Sequence, residues 1–539
     1  MIPAKKGGYQ WADVSEGLQE GKTKKMDCAE SLFRTALAAG VDVCFANAGT
    51  SEMPMVAALD AVPEMRGILC LFEGGCTGAA DGYARMTGKP ALTLLHAGAG
   101  VANASANLHN ARRAASPIVN LIGDQPSWHG PFDPLLTSDL EAIVGWSAAW
   151  SRRAGAPERV ASDLAATVEA AQQAPGKIAS LILPLDAFWE DVAGPANAFP
   201  TPVADAVPAD TIEAIAEALR KSKSAALLLK GAVLHGRGLR AAGRIKAMSG
   251  CRLYCDTFVA RVDRGPGLPF VERVPYFPED GVAALADLTD LVLVGGKEPV
   301  AFFGYPGQPS QFTPPDCIRH ILARPEDDGV TALEALADAL GAPADHAADI
   351  LPPVPSAPSG ALTAESIGAA VANVMPENAI IIDEGITCSG PLYAATAGAP
   401  HHSHLIVSGG AIGWGFPGAT GAAVACPDRP VIAMQADGSG MYTLQALWTQ
   451  AREDLNVTTV VYANNTYEII KVELDRAGIT NPGPKATELA DFHDQPLDWV
   501  SLAHGHGVPG VRVECAEDLM VEIKKALADP GPHLIEALM

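Results

Sequence analysis

The stretch AMQADGSGMYTLQALW, residues 433–448, carries an apolar strand-like run into Asp437-Gly438-Ser439-Gly440. An acidic residue followed by three very small ones, at a strand-to-helix turn, lets a ligand approach the backbone closely. A second strand-like run, 457–463, stops at Asn464-Asn465, so that Asp437 and Asn465 stand 28 positions apart. In a right-handed strand–helix–strand unit both turns lie at the carboxyl edge of the sheet, where the two side chains become neighbours. One carboxylate, one amide oxygen and a nearby backbone carbonyl suit Mg²⁺, a hard cation that completes its octahedron with phosphate oxygens. The N–H groups at the helix start, around Gly438 and Ser439, favour an anion at the same spot. Either feature alone reads as a helix cap or an ordinary turn. Together they describe a site for Mg²⁺ and a diphosphate.

The elements that must position this site repeat along the chain. Short β-rich runs alternate with helical patterns, the signature of parallel sheets. Runs of this kind are VDVCFA (41–46), GILCLF (67–72), ALTLLH (91–96) and IVNLIG (118–123) in a first block. AALLLK (225–230), RLYC (252–255) and LVLVGG (291–296) follow in a second, and AIIID (379–383), VIAMQA (431–436) and VTTVVYA (457–463) in a third. Asp27 can cap a first helix that Gly40 ends. Met441, Leu444, Leu447, Trp448 and Ala451 fall on one stripe of a single helix expected after Asp437. Segments 190–210 and 341–366, rich in Pro, Ala and Gly, read as linkers. The division is a polar tail (1–25) and α/β blocks at 26–190, 205–342 and 360–539.

Composition narrows the classes of function. A chain of 539 residues is too long for one hydrophobic core. A formal net charge of −24 argues against a nucleic-acid partner or an anionic membrane surface. No run of about 18 apolar residues suggests a membrane span, and the start lacks an apolar signal core. The ten cysteines are scattered without a C-x-x-C pair, as expected of buried reduced thiols in a cytoplasmic protein; zinc is not indicated.

ADGSG…YANN resembles the cofactor motif of the thiamine diphosphate (ThDP) enzymes, Gly-Asp-Gly, a helix and strand, then Asn-Asn. The resemblance implies that Asp437, the Asn465 side chain and the Tyr467 carbonyl hold Mg²⁺. The chain departs from the motif at Ala436, where the family usually has Gly. LCLFEGGCTGAADGYARMTGKP resembles the family's pyrimidine-binding region and places Glu73 at the glutamate that activates the cofactor. His96 follows Glu73 by 23 residues, where the benzoylformate decarboxylases carry an active-site histidine suited to proton transfer. FANAGTSEMP (45–54) is similar to a benzoylformate-decarboxylase-like segment, with Thr50 as its substrate-facing hydroxyl and Ala48 in place of the usual Pro. VSGGAIGWGFPGATGAA (407–423) resembles the cofactor-supporting strand and turn, which makes Gly410 part of the cofactor site and Ile412 the apolar residue that bends ThDP. The turn EGITCSG (384–390) offers Thr387 to the diphosphate.

Other signals weigh less. GRGLRA (236–241), with Asp256 beyond it, outlines a dinucleotide fingerprint. Gly236 lies several residues past the strand, however, and FAD or another nucleotide is not expected there. HHSH (401–404) sits in a presumed loop without a second cluster and is not taken as a metal site. FFGYPGQP (302–309) falls where relatives bring a segment over the active site, which makes Tyr305 a pocket candidate. DQPSWHGPFDPLLTSD (124–139) does not match typical acetolactate synthases.

The resemblance thus implies three doubly wound parallel-sheet domains of the pyruvate decarboxylase/acetolactate synthase-like architecture. It implies a homodimer or homotetramer with active sites between subunits. The activity expected is that of a ThDP- and Mg²⁺-dependent 2-oxo acid decarboxylase or carboligase, acetolactate-synthase-like or benzoylformate-decarboxylase-like. An acyloin lyase that needs no acid substrate and an inactive ThDP-binding protein stand as alternatives.

Overall fold

The computed structural model describes residues 25–344 and 350–539; all but the last residue of the expected polar tail lies outside them. The strands are β1 (Val43–Asn47), β2 (Arg66–Leu69), β3 (Ala91–His96), β4 (Ile118–Asp124), β5 (Trp150–Arg153) and β6 (Ile178–Pro184) in the first block. Next come β7 (Ala225–Leu229), β8 (Arg252–Cys255), β9 (Val262–Arg264), β10 (Glu272–Arg273), β11 (Asp290–Val294) and β12 (Ile318–Ala323). The last are β13 (Ala379–Glu384), β14 (His402–Ile406), β15 (Val431–Ala436), β16 (Val457–Ala463), β17 (Gly510–Val513) and β18 (His533–Leu538).

They form three sheets, ordered β2-β1-β3-β4-β6-β5, β10-β8-β7-β11-β12 and β17-β18-β16-β15-β13-β14-β9. Every pair is parallel except β14 with β9. Central strands such as β3, β11, β13 and β16 are buried along nearly their whole length, because helices cover both faces of a parallel sheet. Strand β9 was not anticipated: a three-residue piece of the central block leaves its own sheet and closes the edge of the last one.

Helix Cys28–Ala38 begins as expected, with the Asp27 carboxylate accepting from the Ala29 and Glu30 N–H groups. Helix Glu73–Thr87 is rich in small residues, buried along almost its whole length, and crosses helix Gly415–Ala425 closely. Only glycine fits at Gly421, whose missing side chain would point into the Ala79 carbonyl. The first and last blocks therefore meet backbone to backbone.

Two expectations about local structure are corrected. The helix after Asp437 is not continuous: Asp437–Gly440 is one short turn and Ala446–Arg452 a separate helix. Two glycines weaken the first turn, and the Thr443 hydroxyl donates to the Gly413 carbonyl across the gap (2.9 Å). HHSH is not a loop either, since His402, Ser403 and His404 pair with β13 and β9 as strand β14. The His402 Nδ1–H donates to the Pro400 carbonyl (2.8 Å), and the His404 Nε2–H donates to Asp383 Oδ2 (3.1 Å).

Burial pushes the His402 imidazole down to about 3 and the His404 imidazole down to about 4. Both rings are neutral in the fold near pH 7, whereas in the unfolded chain they titrate near 6.5. Between those values the unfolded state binds more protons, so stability falls as pH falls from 6.5. At pH 5 each ring accounts for a loss of about 2 kcal/mol. Urea titrations from pH 7 to pH 4 should show this loss. His402→Gln should make the slope shallower, by up to about 1.4 kcal/mol per pH unit.

Candidate active site

The parallel order brings the loops after β13, β14, β15 and β16 to one carboxyl edge, and β13 and β15 flank the point where strand order reverses. Asp437 stands there almost fully buried. Its Oδ1 accepts from the Gly438 N–H and its Oδ2 from the Asn465 N–H, both at 2.7 Å. No cationic side chain is among its described hydrogen-bond or ion-pair partners, and burial pushes the carboxyl up to about 6. Asn465 takes a left-handed conformation (φ 53°), which turns the chain at the end of β16. The Tyr467 carbonyl accepts from the Ile470 N–H, which leaves it a second lone pair, while the Tyr467 hydroxyl donates to the Gly438 carbonyl (3.3 Å). Ala436 is in extended backbone, which any residue adopts, so the departure from glycine leaves the turn intact. Ser439 receives a hydrogen bond from Gln435 Nε2 (2.6 Å) and donates to the Ala436 carbonyl.

Thr387 is exposed on the turn after β13, next to Ile386, a β-branched residue held at φ 53°. Backbone held in that region is strained and persists only where the surroundings fix it. Gly410 (φ 73°) and Ile412 lie on the turn after β14. A carboxylate that sequence reasoning missed anchors that turn. Buried Glu384 accepts from the Gly413 (2.7 Å), Trp414 (3.2 Å) and Gly415 (2.6 Å) N–H groups and from Gln435 Nε2 (3.0 Å). Burial raises its carboxyl despite these bonds.

The first sheet presents a second cluster at its own carboxyl edge. Glu73 opens helix Glu73–Thr87, largely buried, and its Oε2 accepts from Asn103 Nδ2 (3.0 Å). His96 ends β3, and Ala97 after it is held at φ 47°. The His96 Nδ1 lies 2.8 Å from Glu52 Oε2 and 3.1 Å from the Ser51 hydroxyl. Ser51 Oγ donates to Glu52 Oε1 (2.6 Å) and the Gly49 N–H to Glu52 Oε2 (2.6 Å).

Residues 26–140 match the family model "Thiamine pyrophosphate enzyme, N-terminal TPP binding domain", and residues 385–537 match its C-terminal TPP-binding counterpart. A Mycobacterium tuberculosis protein named "Putative acetolactate synthase large subunit IlvX" is 48% identical over 515 residues, covering 95% of this chain and 99% of its own length. The chain belongs to the thiamine diphosphate enzyme family. Benzoylformate decarboxylase of Pseudomonas aeruginosa is 28% identical over 541 residues, covering 92% of this chain and 96% of its own. Among solved structures, a thiamine diphosphate-dependent 4-hydroxybenzoylformate decarboxylase of Rhodococcus jostii RHA1 shares the fold. Its TM-score is 0.83 at 24% identity, over 95% of this chain and 98% of that one.

Within this family member the two clusters fall in the two matched domains: Glu73, His96 and Thr50 in the first, Asp437, Asn465, Tyr467, Gly410, Ile412 and Thr387 in the second. Thr50 is exposed on the rim, and the hydroxyl that touches His96 is that of Ser51. Glu52 gave no signal in the sequence, since nothing in TSEMP distinguishes a buried glutamate from a surface one. Space beside it is reserved: a Cβ on Gly123 would collide with Glu52 Oε1. Gly123→Ala should therefore displace Glu52, release His96 and lower kcat/KM by roughly tenfold to a hundredfold. Steady-state kinetics beside a melting curve would check this, since a purely structural effect would lower the melting temperature and leave kcat/KM near wild type.

Tyr305 lies beside the helix that follows Tyr467. Its hydroxyl donates to Glu473 (2.9 Å) on helix Glu468–Arg476, and the Arg476 guanidinium lies 4.6 Å from its ring. Phe302 takes the position over the turn, where a Cβ on Gly410 would fall 2.7 Å from its ring. Phe258, Tyr276 and Phe303 pack round Phe302 with centroids 4.7–5.5 Å away. In the central sheet the GRGLRA outline lies at the start of helix Gly236–Ser249, where Gly238 packs against the Val233 backbone. A 3-10 turn, Gly231–Leu234, separates β7 from the helix that Gly236 opens. Asp256 pairs with Lys230 Nζ (2.6 Å) at the crevice beside β7, and Lys230 also packs against Gly295 and Gly296. This ion pair is partly exposed, with the Lys230 and Asp256 side chains 42% and 29% accessible.

Proposed function

We propose that this protein is a ThDP- and Mg²⁺-dependent 2-oxo acid decarboxylase or carboligase that works as at least a homodimer. The observation that carries the reading is Asp437, a buried carboxylate fixed by two backbone N–H groups and lacking a described cationic partner. An all-oxygen set of Asp437, Asn465 and the Tyr467 carbonyl fits Mg²⁺ better than a softer metal. Gly438, Ser439 and Thr387 would meet the diphosphate, Gly410 and Ile412 the bend of the cofactor, and Glu73 its pyrimidine end. When bound, ThDP supplies a nucleophilic carbon and an electron sink. His96, oriented by Glu52 and Ser51, would hold or deliver a proton at the substrate.

Large exposed side chains support a second copy: Trp128 (60% exposed), Phe132 (76%) and Leu135 (99%) stand together on the loop after β4. The domains proposed are 26–190, 205–342 and 360–539, without a nucleotide in the central one. The aromatic wall of Phe258, Tyr276, Phe302 and Phe303 supports an aryl-substituted 2-oxo acid over pyruvate.

The test is CO₂ release by purified protein with ThDP and Mg²⁺ over aryl and alkyl 2-oxo acids, each cofactor omitted in turn. Release that needs both cofactors supports the reading, and the product separates aldehyde from hydroxyketone. Silence across the panel, with ThDP bound, would overturn it in favour of an acyloin lyase or an inactive binding protein.

A further inference from the structure

Glu384 ends β13, and Gln435 stands opposite it in register on β15, at the reversal point of the last sheet. Glu384 is fully buried and Gln435 is 1% exposed. Glu384 Oε1 accepts from the Gly413 (2.7 Å) and Trp414 (3.2 Å) N–H groups, and Oε2 from the Gly415 N–H (2.6 Å). The carboxylate thus caps helix Gly415–Ala425 and holds the chain just after Ile412. A cap needs no more than that. Yet Oε2 also accepts from Gln435 Nε2 (3.0 Å), and the same Nε2 donates to Ser439 Oγ (2.6 Å) on the turn that Asp437 opens. Ser439 Oγ in turn donates to the Ala436 carbonyl (3.1 Å).

A second link runs beside the first. Thr443 Oγ1, just past the Asp437 turn, donates to the Gly413 carbonyl (2.9 Å), which also accepts from Asn107 Nδ2 (3.1 Å). Asn110 Nδ2 donates to the Ala411 carbonyl (2.7 Å), so the peptides on both sides of Ile412 are held. The space between the two turns is filled as well, since a Cβ on Gly415 would collide with Gln435 Oε1. Glu384, Gln435, Ser439 and Thr443 are all buried. Changing the separation of the turns would therefore leave a buried polar group without its partner.

We propose that Glu384 and Gln435 are positioning residues that fix the distance between the turn presenting Ile412 and the turn opened by Asp437, so that the bend and the diphosphate of one ThDP meet both turns at once. The proposal rests on the reading of this site as a ThDP site, and it concerns the last domain alone, which on that reading supplies both turns to the same cofactor. Both residues are buried and act through the backbone they hold. A separation set in advance raises affinity, because binding then has no turn to order. ThDP spans both turns and senses their separation. Inorganic pyrophosphate with Mg²⁺ meets only the diphosphate turn and does not.

The test compares wild type with Gln435→Met, Glu384→Gln and Glu384→Ala. Gln435→Met keeps the side-chain length and leaves Glu384 its three backbone bonds, so it cuts the link without removing the cap. Calorimetry in the presence of Mg²⁺ reads the affinity for ThDP and, separately, for inorganic pyrophosphate; melting of the protein without cofactor reads folding. ThDP affinity should fall by roughly tenfold or more in Gln435→Met and Glu384→Ala, and by less in Glu384→Gln, which keeps one acceptor oxygen. Pyrophosphate affinity should stay within about threefold of wild type in all three. Wild-type ThDP affinity in Gln435→Met would overturn the proposal and leave Glu384 a helix cap. So would an equal loss of both affinities, which marks general damage to the fold and not a lost separation. If Glu384→Ala does not fold, Gln435→Met and Glu384→Gln decide by the same measures. Failure of wild type itself to bind ThDP or pyrophosphate would count against the functional reading, a different result from a split between the two ligands in the variants alone.

Discussion

Glu73→Gln is expected to keep ThDP and lose turnover by roughly a hundredfold to ten-thousandfold. Glutamine keeps the length and shape of the side chain and can still pair with Asn103 through its amide oxygen, so the start of helix Glu73–Thr87 should not move. What the substitution removes is an acid group able to exchange a proton with a nitrogen base. Glu73 is far from Asp437 in sequence and hangs from a different sheet, so metal and diphosphate contacts should be unaffected. Calorimetric titration with ThDP and Mg²⁺, beside CO₂ release on the best substrate, reads both halves of the prediction. Wild-type turnover in Glu73→Gln would remove the carboxyl group from the mechanism.

Asp437→Ala should fail in the opposite way, by losing the cofactor. Asp437 is the only carboxylate of the proposed metal set, and its removal should weaken Mg²⁺-dependent ThDP binding by at least about a hundredfold. The protein without cofactor should not suffer equally. The Asp437 carboxyl is raised by burial from an ordinary 3.8 to about 6. A group raised in this way contributes stability that is present below 3.8 and lost as pH rises through 6, so at pH 7 its buried charge costs the empty fold about 3 kcal/mol. Alanine removes that penalty but leaves the Gly438 and Asn465 N–H groups without their acceptor, a loss of about 1–3 kcal/mol. The two nearly cancel. Melting of the empty variant should therefore resemble wild type, while the rise in melting temperature that ThDP and Mg²⁺ give wild type should vanish. A variant that melts far lower when empty would mark Asp437 as a structural residue.

The two variants also separate the halves of the site. Glu73→Gln should show binding without turnover, and Asp437→Ala neither.

Much of this was legible in the amino-acid sequence because it is local. Asp437 and Asn465 announce themselves through strand ends, a glycine turn and a spacing that one strand–helix–strand unit imposes. Glu73 and His96 likewise close apolar runs, and the alternation of strands and helices defines parallel sheets. Tertiary structure alone decided what depends on contacts between distant segments. Glu52 reaches His96 from 44 positions away, Glu384 grips a turn about 30 positions on, and Asn107 and Asn110 bridge about 300 positions to that same turn. The placing of Phe302 over Gly410, the strand that β9 adds to the last sheet, and the strand identity of HHSH have the same origin. A spacing rule sees which residues end a strand. Which side chain satisfies a buried carbonyl across a domain boundary is fixed by packing, because only the folded chain determines which polar groups lose their water together.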